Sequence, residues 1–350
     1  MYNEELITKK TIERVRNDNC FDFLRYFFAF SLILVHFCTL TKTEQFWFIS
    51  GQMRVKAFFT ITGFLVVYSF LRRKQLNIYI WKRVLRIIPA YITAIFLCYI
   101  VGFFFSTASA TEYYLSAQSF KYLLANLSFL NFIEPCLPGL FTENPVETSV
   151  NGSLWSMKFE VIFYILVPFI IWLMKKYSKF TILIVLFLCN ILFHGVLDYL
   201  EYLTGDMRYH IINNSSPTTM IYFFSGTAIL FYFDWFCQHI RWILPICFIY
   251  IFILQYIDYS LPYYIEPLAF SALIVGIAYF CKPLNFLQKY DNISYGLYLY
   301  HYPIIQVLTQ YQLHQYNIYL TFILTLLITI LLATASWYFI EKRLLKLKLS

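Results

Sequence analysis

The first apolar run, FDFLRYFFAFSLILVH, carries three ionisable residues, Asp22, Arg25 and His36. Inside a bilayer each such group costs about 2.5–3.5 kcal/mol on insertion scales, so each is a functional candidate by default. Asp22 and Arg25 are three residues apart and share a helix face. Near a membrane boundary Arg25 could also simply snorkel to the interface. His36 follows Arg25 by about 16 Å of helix, about three turns, so both project on similar faces. An imidazole at that depth is either a neutral hydrogen-bonding packer between helices or a general base.

Four further segments carry chemistry-bearing side chains. In IYIWKRVLRIIPAYI, Arg83 and Arg86 are spaced i, i+3 ahead of Pro89. Paired guanidinium forks match phosphate oxygens, although with Lys82 beside them they also fit a positive-inside stop signal. In NGSLWSMKFEVIFYILVP, Glu160 sits near the outer end of its run, accompanied by Trp155 and Tyr164. A carboxylate beside a neutral imidazole fixes its tautomer and steadies the imidazolium that forms on proton uptake; a Glu in a first helical turn also simply suits the helix dipole. Gly63, in FFTITGFLVV, lets a neighbouring helix or ligand come close. His301, in ISYGLYLYHYPI, is either a packed, hydrogen-bonded histidine or a supporting group. The other histidines lie near run ends or in connections and carry no assigned role.

The elements that must hold these residues follow from composition. Of 350 residues, 60% are hydrophobic and 13% charged, against about 25% charged in soluble domains. The chain is therefore expected to be an all-α integral membrane protein. Runs of about 20 apolar residues fall at approximately 22–41, 55–71, 84–106, 158–174, 180–197, 219–235, 241–257, 263–281, 293–311 and 318–340, giving about ten transmembrane helices. Six basic residues (Lys42, Arg54, Lys56, Lys121, Lys158 and Arg208) fall on one side and twenty on the other. By the positive-inside rule both termini are cytoplasmic, with tails at 1–21 and 341–350. The one long external connection, 107–157, includes a segment at 117–133 that suits either an amphipathic interface helix or a re-entrant element. One membrane domain over 1–350 is expected.

The formal charge of +8 is thus a topology signal, and a nucleic-acid partner is excluded. Eight cysteines show no CxxC and no zinc-site spacing, so no metal and no disulfide framework are expected. No Gly-rich phosphate cradle is present; any phosphorylated donor must be held by side-chain cations.

In order, FDFLRYFFAFSLILVH, FFTITGFL, WKRVLRIIPAY, NGSLWSMKFEVIFYILVP and NISYGLYLYHYPI resemble the motifs of the membrane-bound acyltransferase-3 family over residues 18 to 343. Thr62 stands where the family usually has Ser, and Phe27, Phe28 and Ala29 make the first motif bulkier. The resemblance implies a bacterial, multi-pass inner-membrane O-acyltransferase that moves an acyl group, most often acetyl, from cytosolic acyl-CoA to a cell-surface or lipid-linked glycan. Carried over by position, His36 is the base, Arg83 and Arg86 contact acyl-CoA, and Arg25 and Glu160 are further essential groups. Asp22, Gly63, Trp155, Tyr164 and His301 are supporting candidates. Acetyl-CoA is expected as donor substrate, with no permanently bound cofactor and no appended esterase-like domain. The residues alone also fit a transporter or exporter of a glycan or small carboxylated solute, with Arg25, His36 and Glu160 as relay or substrate site, or a glycan-synthesis partner of structural duty only.

Overall fold

The structure is a computed structural model. It describes residues 6–16, 19–44, 51–72, 75–146, 148–215, 218–256 and 264–347. Arg73, Lys74, Glu147 and Lys348, which enter the charge and loop expectations, lie outside the described residues. Among the described residues the regular secondary structure is all helical, without strands. In chain order the helices are α1 (Lys9–Arg16), α2 (Phe21–Leu40), α3 (Gly51–Leu71), α4 (Leu76–Gly102), α5 (Ala110–Leu115), α6 (Ala117–Leu127), α7 (Met157–Lys176), α8 (Lys179–Thr204), α9 (Met207–Ser215), α10 (Met220–Phe231), α11 (Phe233–Tyr256), α12 (Glu266–Phe280), α13 (Ser294–Gln310), α14 (Leu313–Tyr316), α15 (Ile318–Ser336) and α16 (Lys342–Leu345).

The described parts of the ten expected apolar segments lie largely on helices, the 219–235 segment straddling the sharp turn between α10 and α11. Among the described residues six helices qualify by length and apolarity as membrane spans, or up to eight if each bent pair crosses once. The shortfall has a local cause: α10 has 12 residues, α12 has 15 and α13 has 17. The chain turns by 106° between α10 and α11, and by 79° after α12. On α4 the exposed residues Leu76, Ile80, Val84, Ile92, Phe96 and Ile100 wind around the helix at spacings of four and eight residues, the wide apolar surface of a helix bordered by lipid.

The chain divides into two compact units. The first comprises Met1–Arg25, Gln52–Tyr79 and Phe159–Tyr290; the second comprises Tyr26–Gly51, Ile80–Lys158 and Asp291–Ser350.

In the first unit α3 and α10 meet backbone to backbone. A Cβ on Gly63 would lie 2.1 Å from the Phe223 carbonyl oxygen, and one on Gly226 would lie 2.3 Å from that of Thr60. The close neighbour that Gly63 admits is thus helix α10. Beside this contact Phe163 stacks on Phe223 at 4.1 Å between ring centroids, and the buried hydroxyls of Thr60 and Ser271 pair at 2.8 Å. Pro168 inside α7 supplies no N–H to the carbonyl four residues earlier, that of Tyr164. The Tyr79 hydroxyl donates to that oxygen at 3.2 Å.

In the second unit α13 packs on α15 through small and hydroxylated residues. A Cβ on Gly296 would meet Ala333 Cα at 2.8 Å, and Thr321, Thr325 and Thr329 are buried along α15, a small-residue seam that suits helix pairing in lipid. The 107–157 connection contains α5 and α6. The amphipathic segment expected at 117–133 is helical over Ala117–Leu127. It exposes Phe120, Leu124 and Leu127 while burying Ser119, Tyr122 and Asn126, the reverse of a helix facing water. It ends earlier than expected because Phe129 takes a left-handed φ of 61°, with its ring stacked on Tyr91 at 4.4 Å.

Candidate active site

The second unit contains the side-chain cluster best suited to proton transfer. His36 lies on α2 and His301 on α13, and Nδ1 of His36 is 2.8 Å from Nε2 of His301. Their rings are near-parallel, with an interplanar angle of 14°. Tyr302 meets the His36 ring edge-on at 5.4 Å between centroids. His301 is fully buried, whereas His36 is half-buried. The pair thus has an inner, enclosed imidazole and an outer, half-buried one.

The sequence explains why α13 presents these two residues as it does. Pro303 has no N–H for the carbonyl of Leu299, four residues earlier, and its ring crowds that carbonyl. A buried carbonyl without a donor is costly. Asn151 supplies the donor: its Nδ2 donates to the Leu299 oxygen at 2.8 Å. Ser153 Oγ donates in turn to Asn151 Oδ1 at 2.6 Å, and the Tyr298 hydroxyl donates to the Ser153 carbonyl. Gly152 lies so close to Tyr302 that a Cβ would meet its Cζ at 2.7 Å. The Tyr302 hydroxyl pairs with Ser149 Oγ at 3.2 Å. Residues 149–153 therefore clamp the turn of α13 that bears His301 and Tyr302.

Arg86 is the second feature of this unit. Its Nη1 is 3.6 Å from Glu341 Oε2, and its guanidinium sits over the rings of Trp337 and Tyr295, at 5.5 and 6.0 Å from their centroids. Glu341 is 1% exposed and closes a π-helical turn, Trp337–Glu341. Single π-turns inside helices are frequent at functional sites. Arg83, one helical turn before Arg86 on α4, is half-buried, as is Trp155 in the short 3₁₀ segment Gly152–Ser156.

The remaining expected site residues belong to the first unit. Arg25 Nη1 donates to Asp22 Oδ1 at 3.3 Å, and the Tyr164 hydroxyl donates to Glu160 Oε1 at 2.6 Å. Gly63 is the helix contact described above. The structure thus brings together His36 with His301, Asp22 with Arg25, and Glu160 with Tyr164. The side chain hydrogen-bonded at Nδ1 of His36 is His301, a partner the sequence does not single out over Glu160. Asn151, Tyr302 and Glu341 are functional candidates that sequence reasoning passes over. A proline two residues beyond His301 is the one local signal, because it requires a donor for Leu299. Among the described residues no group of three or more His, Cys, Asp or Glu side chains could hold a metal ion.

The profile of the acyltransferase domain matches residues 18–341, a stretch that begins just before α2 and ends on Glu341. The chain belongs to the acyltransferase domain family. As a member it is an acyltransferase, and of the readings left open by the residues alone the enzyme stands over the transporter. This acyltransferase is 24% identical over 341 residues to the O-acetyl transferase of Shigella phage Sf6, covering 95% of this chain and 97% of that protein. It is 26% identical over 366 residues to the O-acetyltransferase OatA of Staphylococcus aureus, covering 91% of this chain. The acyltransferase spans about half of OatA, 56% of its length. No solved structure matches it.

Proposed function

We propose that this acyltransferase is a bacterial O-acetyltransferase of the cytoplasmic membrane. It transfers acetyl from cytosolic acetyl-CoA to a hydroxyl of a cell-surface or lipid-linked glycan on the outer side. The observation that carries this reading is the half-buried imidazole of His36, braced by a buried second imidazole, in a chain of the acyltransferase family. The O-acetyl transferase of the phage, which the chain matches over nearly all of its length, supports O-acetyl transfer in particular. The charge asymmetry of the connections supports cytoplasmic termini and ten crossings, with Arg83 and Arg86 at the cytoplasmic mouth where the donor phosphates arrive.

His36 removes the proton from the acceptor hydroxyl as its oxygen attacks the thioester carbonyl. The tetrahedral oxyanion collapses, the C–S bond breaks, and the proton returns from the imidazolium to the departing CoA thiolate. The products are an O-acetyl ester and free CoA. Arg83 and Arg86 hold donor phosphates through guanidinium forks, and Arg25 and Glu160 are the further required groups.

The test is the acetyl content of the host's surface polysaccharide, read by NMR, in cells carrying the wild-type chain or His36→Ala. Loss of O-acetyl signals in the variant, with the protein present at wild-type level in the membrane, is the expected result. Full acetylation by His36→Ala removes His36 as the base.

A further inference from the structure

We infer that His301 is the positioning residue that fixes the tautomer of His36, so that Nε2 of His36 is the atom that takes the acceptor proton. This rests on the reading of His36 as the base.

The Leu297 carbonyl, His301 and His36 form a three-member hydrogen-bonded chain. Nδ1 of His301 is 3.0 Å from the carbonyl oxygen of Leu297, one turn earlier on α13. A carbonyl only accepts, so Nδ1 of His301 carries the proton. His301 is fully buried, as are Leu297 and Ile305, one helical turn to either side of it on α13. A charged imidazolium in such surroundings is costly unless paired. In the neutral ring a proton on Nδ1 leaves Nε2 with a bare lone pair. That lone pair faces Nδ1 of His36 at 2.8 Å, which must then be the donor. With Nδ1 protonated and engaged, neutral His36 has its basic lone pair on Nε2.

Two features make this a device for orientation. The rings are near-parallel, at 14°, and their centroids are 5.0 Å apart, close to the 2.8 Å contact plus the two centroid-to-nitrogen lengths, so the hydrogen bond lies close to both ring planes, where the nitrogen lone pair points. Tyr302 meets the His36 ring edge-on and is itself held by Ser149, which restrains rotation of the base about its χ2. The acceptor at the inner nitrogen is a neutral imidazole, so it sets direction without adding a negative charge inside the bilayer.

The test uses the full chain purified in detergent, labelled with ¹⁵N-histidine, with the His36 signals assigned by comparison with His36→Ala. Wild-type His36 is expected to show a protonated Nδ1 and a bare Nε2. A His36 protonated at Nε2 and bare at Nδ1 overturns the inference, and this measurement needs no variant of His301. In parallel, CoA release from acetyl-CoA is followed with the host's surface polysaccharide as acceptor. His301→Leu is expected to lower kcat about 100-fold, within the range that a positioned base contributes, with KM for acetyl-CoA within about twofold of wild type. His301→Gln, whose Oε1 can accept from Nδ1–H, is expected to recover kcat to within about tenfold of wild type. Equal losses in His301→Leu and His301→Gln overturn the positioning role. Full activity in His36→Ala removes the base itself, whatever tautomer the wild type shows, so the two failures are distinct.

Discussion

Arg86 and Glu341 form an unequal ion pair: the carboxylate is 1% exposed and the guanidinium side chain 26%, with 3.6 Å between them. Removing either partner strands the other. A stranded Glu341 has nowhere to go, whereas a stranded Arg86 can extend toward water. Arg86→Ala is therefore expected to destabilise the protein by about 2–3 kcal/mol, somewhat under the 3–5 kcal/mol of a fully buried pair. Glu341→Gln should cost less, and adding it to Arg86→Ala should restore most of the loss. Thermal unfolding of the four proteins in detergent checks this. The same asymmetry bears on donor binding: a weakened affinity for acetyl-CoA in Arg86→Ala reports a phosphate contact only when it persists in the double variant.

Asn151 and Pro303 form a complementary pair, one providing the hydrogen-bond donor that the other lacks. Asn151→Ala leaves the Leu299 carbonyl unsatisfied and is expected to cost about 1–3 kcal/mol. Pro303→Ala returns an N–H to that carbonyl, so the double variant should be more stable than Asn151→Ala alone. Stability of the double variant at or below that of the single one would show that Asn151 acts elsewhere.

Gly63 and Gly226 predict a packing failure in the first unit. Each Cβ would strike backbone at 2.1 or 2.3 Å, and backbone cannot rotate away as a side chain can. Gly63→Ala and Gly226→Ala are each expected to cost about 3 kcal/mol, the upper end of ordinary overpacking. Gly195, which has nothing within 4 Å of its Cβ position, is the control, and Gly195→Ala should leave the unfolding temperature unchanged or raise it.

Acid should fray α5 before it affects the bundle. Ser109 and Glu112 form a reciprocal capping box; hydrogen bonds from the Ser109 backbone N–H and hydroxyl hold the Glu112 carboxyl below its ordinary value. A carboxyl whose folded value is depressed contributes stability above its unfolded value, and that contribution fades as pH falls through the folded one. Amide exchange in residues 109–115 should therefore accelerate as pH drops below the usual carboxylate range, after correction for intrinsic rates. Ser109→Ala, which keeps the backbone N–H donor, should weaken the dependence, and Glu112→Ala should remove it.

The helices were legible because apolar runs of sufficient length leave little alternative in lipid. Their ends were less so. Phe129 ends α6 through stacking on Tyr91, and the chain turns sharply at Tyr232 between α10 and α11; neither position carries the Gly or Pro that usually marks a break. Gly63 was legible as a point of close approach, yet what approached was not. Glu341 passed for part of a basic tail, because its burial depends on Arg86, Ser336 and the π-turn around it.

By itself the sequence determined that this chain is helical and apolar, that its few ionisable residues demand explanation, and that its motifs are those of an acyltransferase. Those are properties of local composition and spacing, and they survive without knowledge of which helix neighbours which. Only the tertiary structure decided that His36 meets His301, 265 residues away, and that Arg86 is held by Glu341. A helix that is apolar on every side carries no stripe to mark its inward face. Neighbours in such a bundle are chosen by small residues, proline-freed carbonyls and matched polar side chains, and those choices become visible only when the helices are packed.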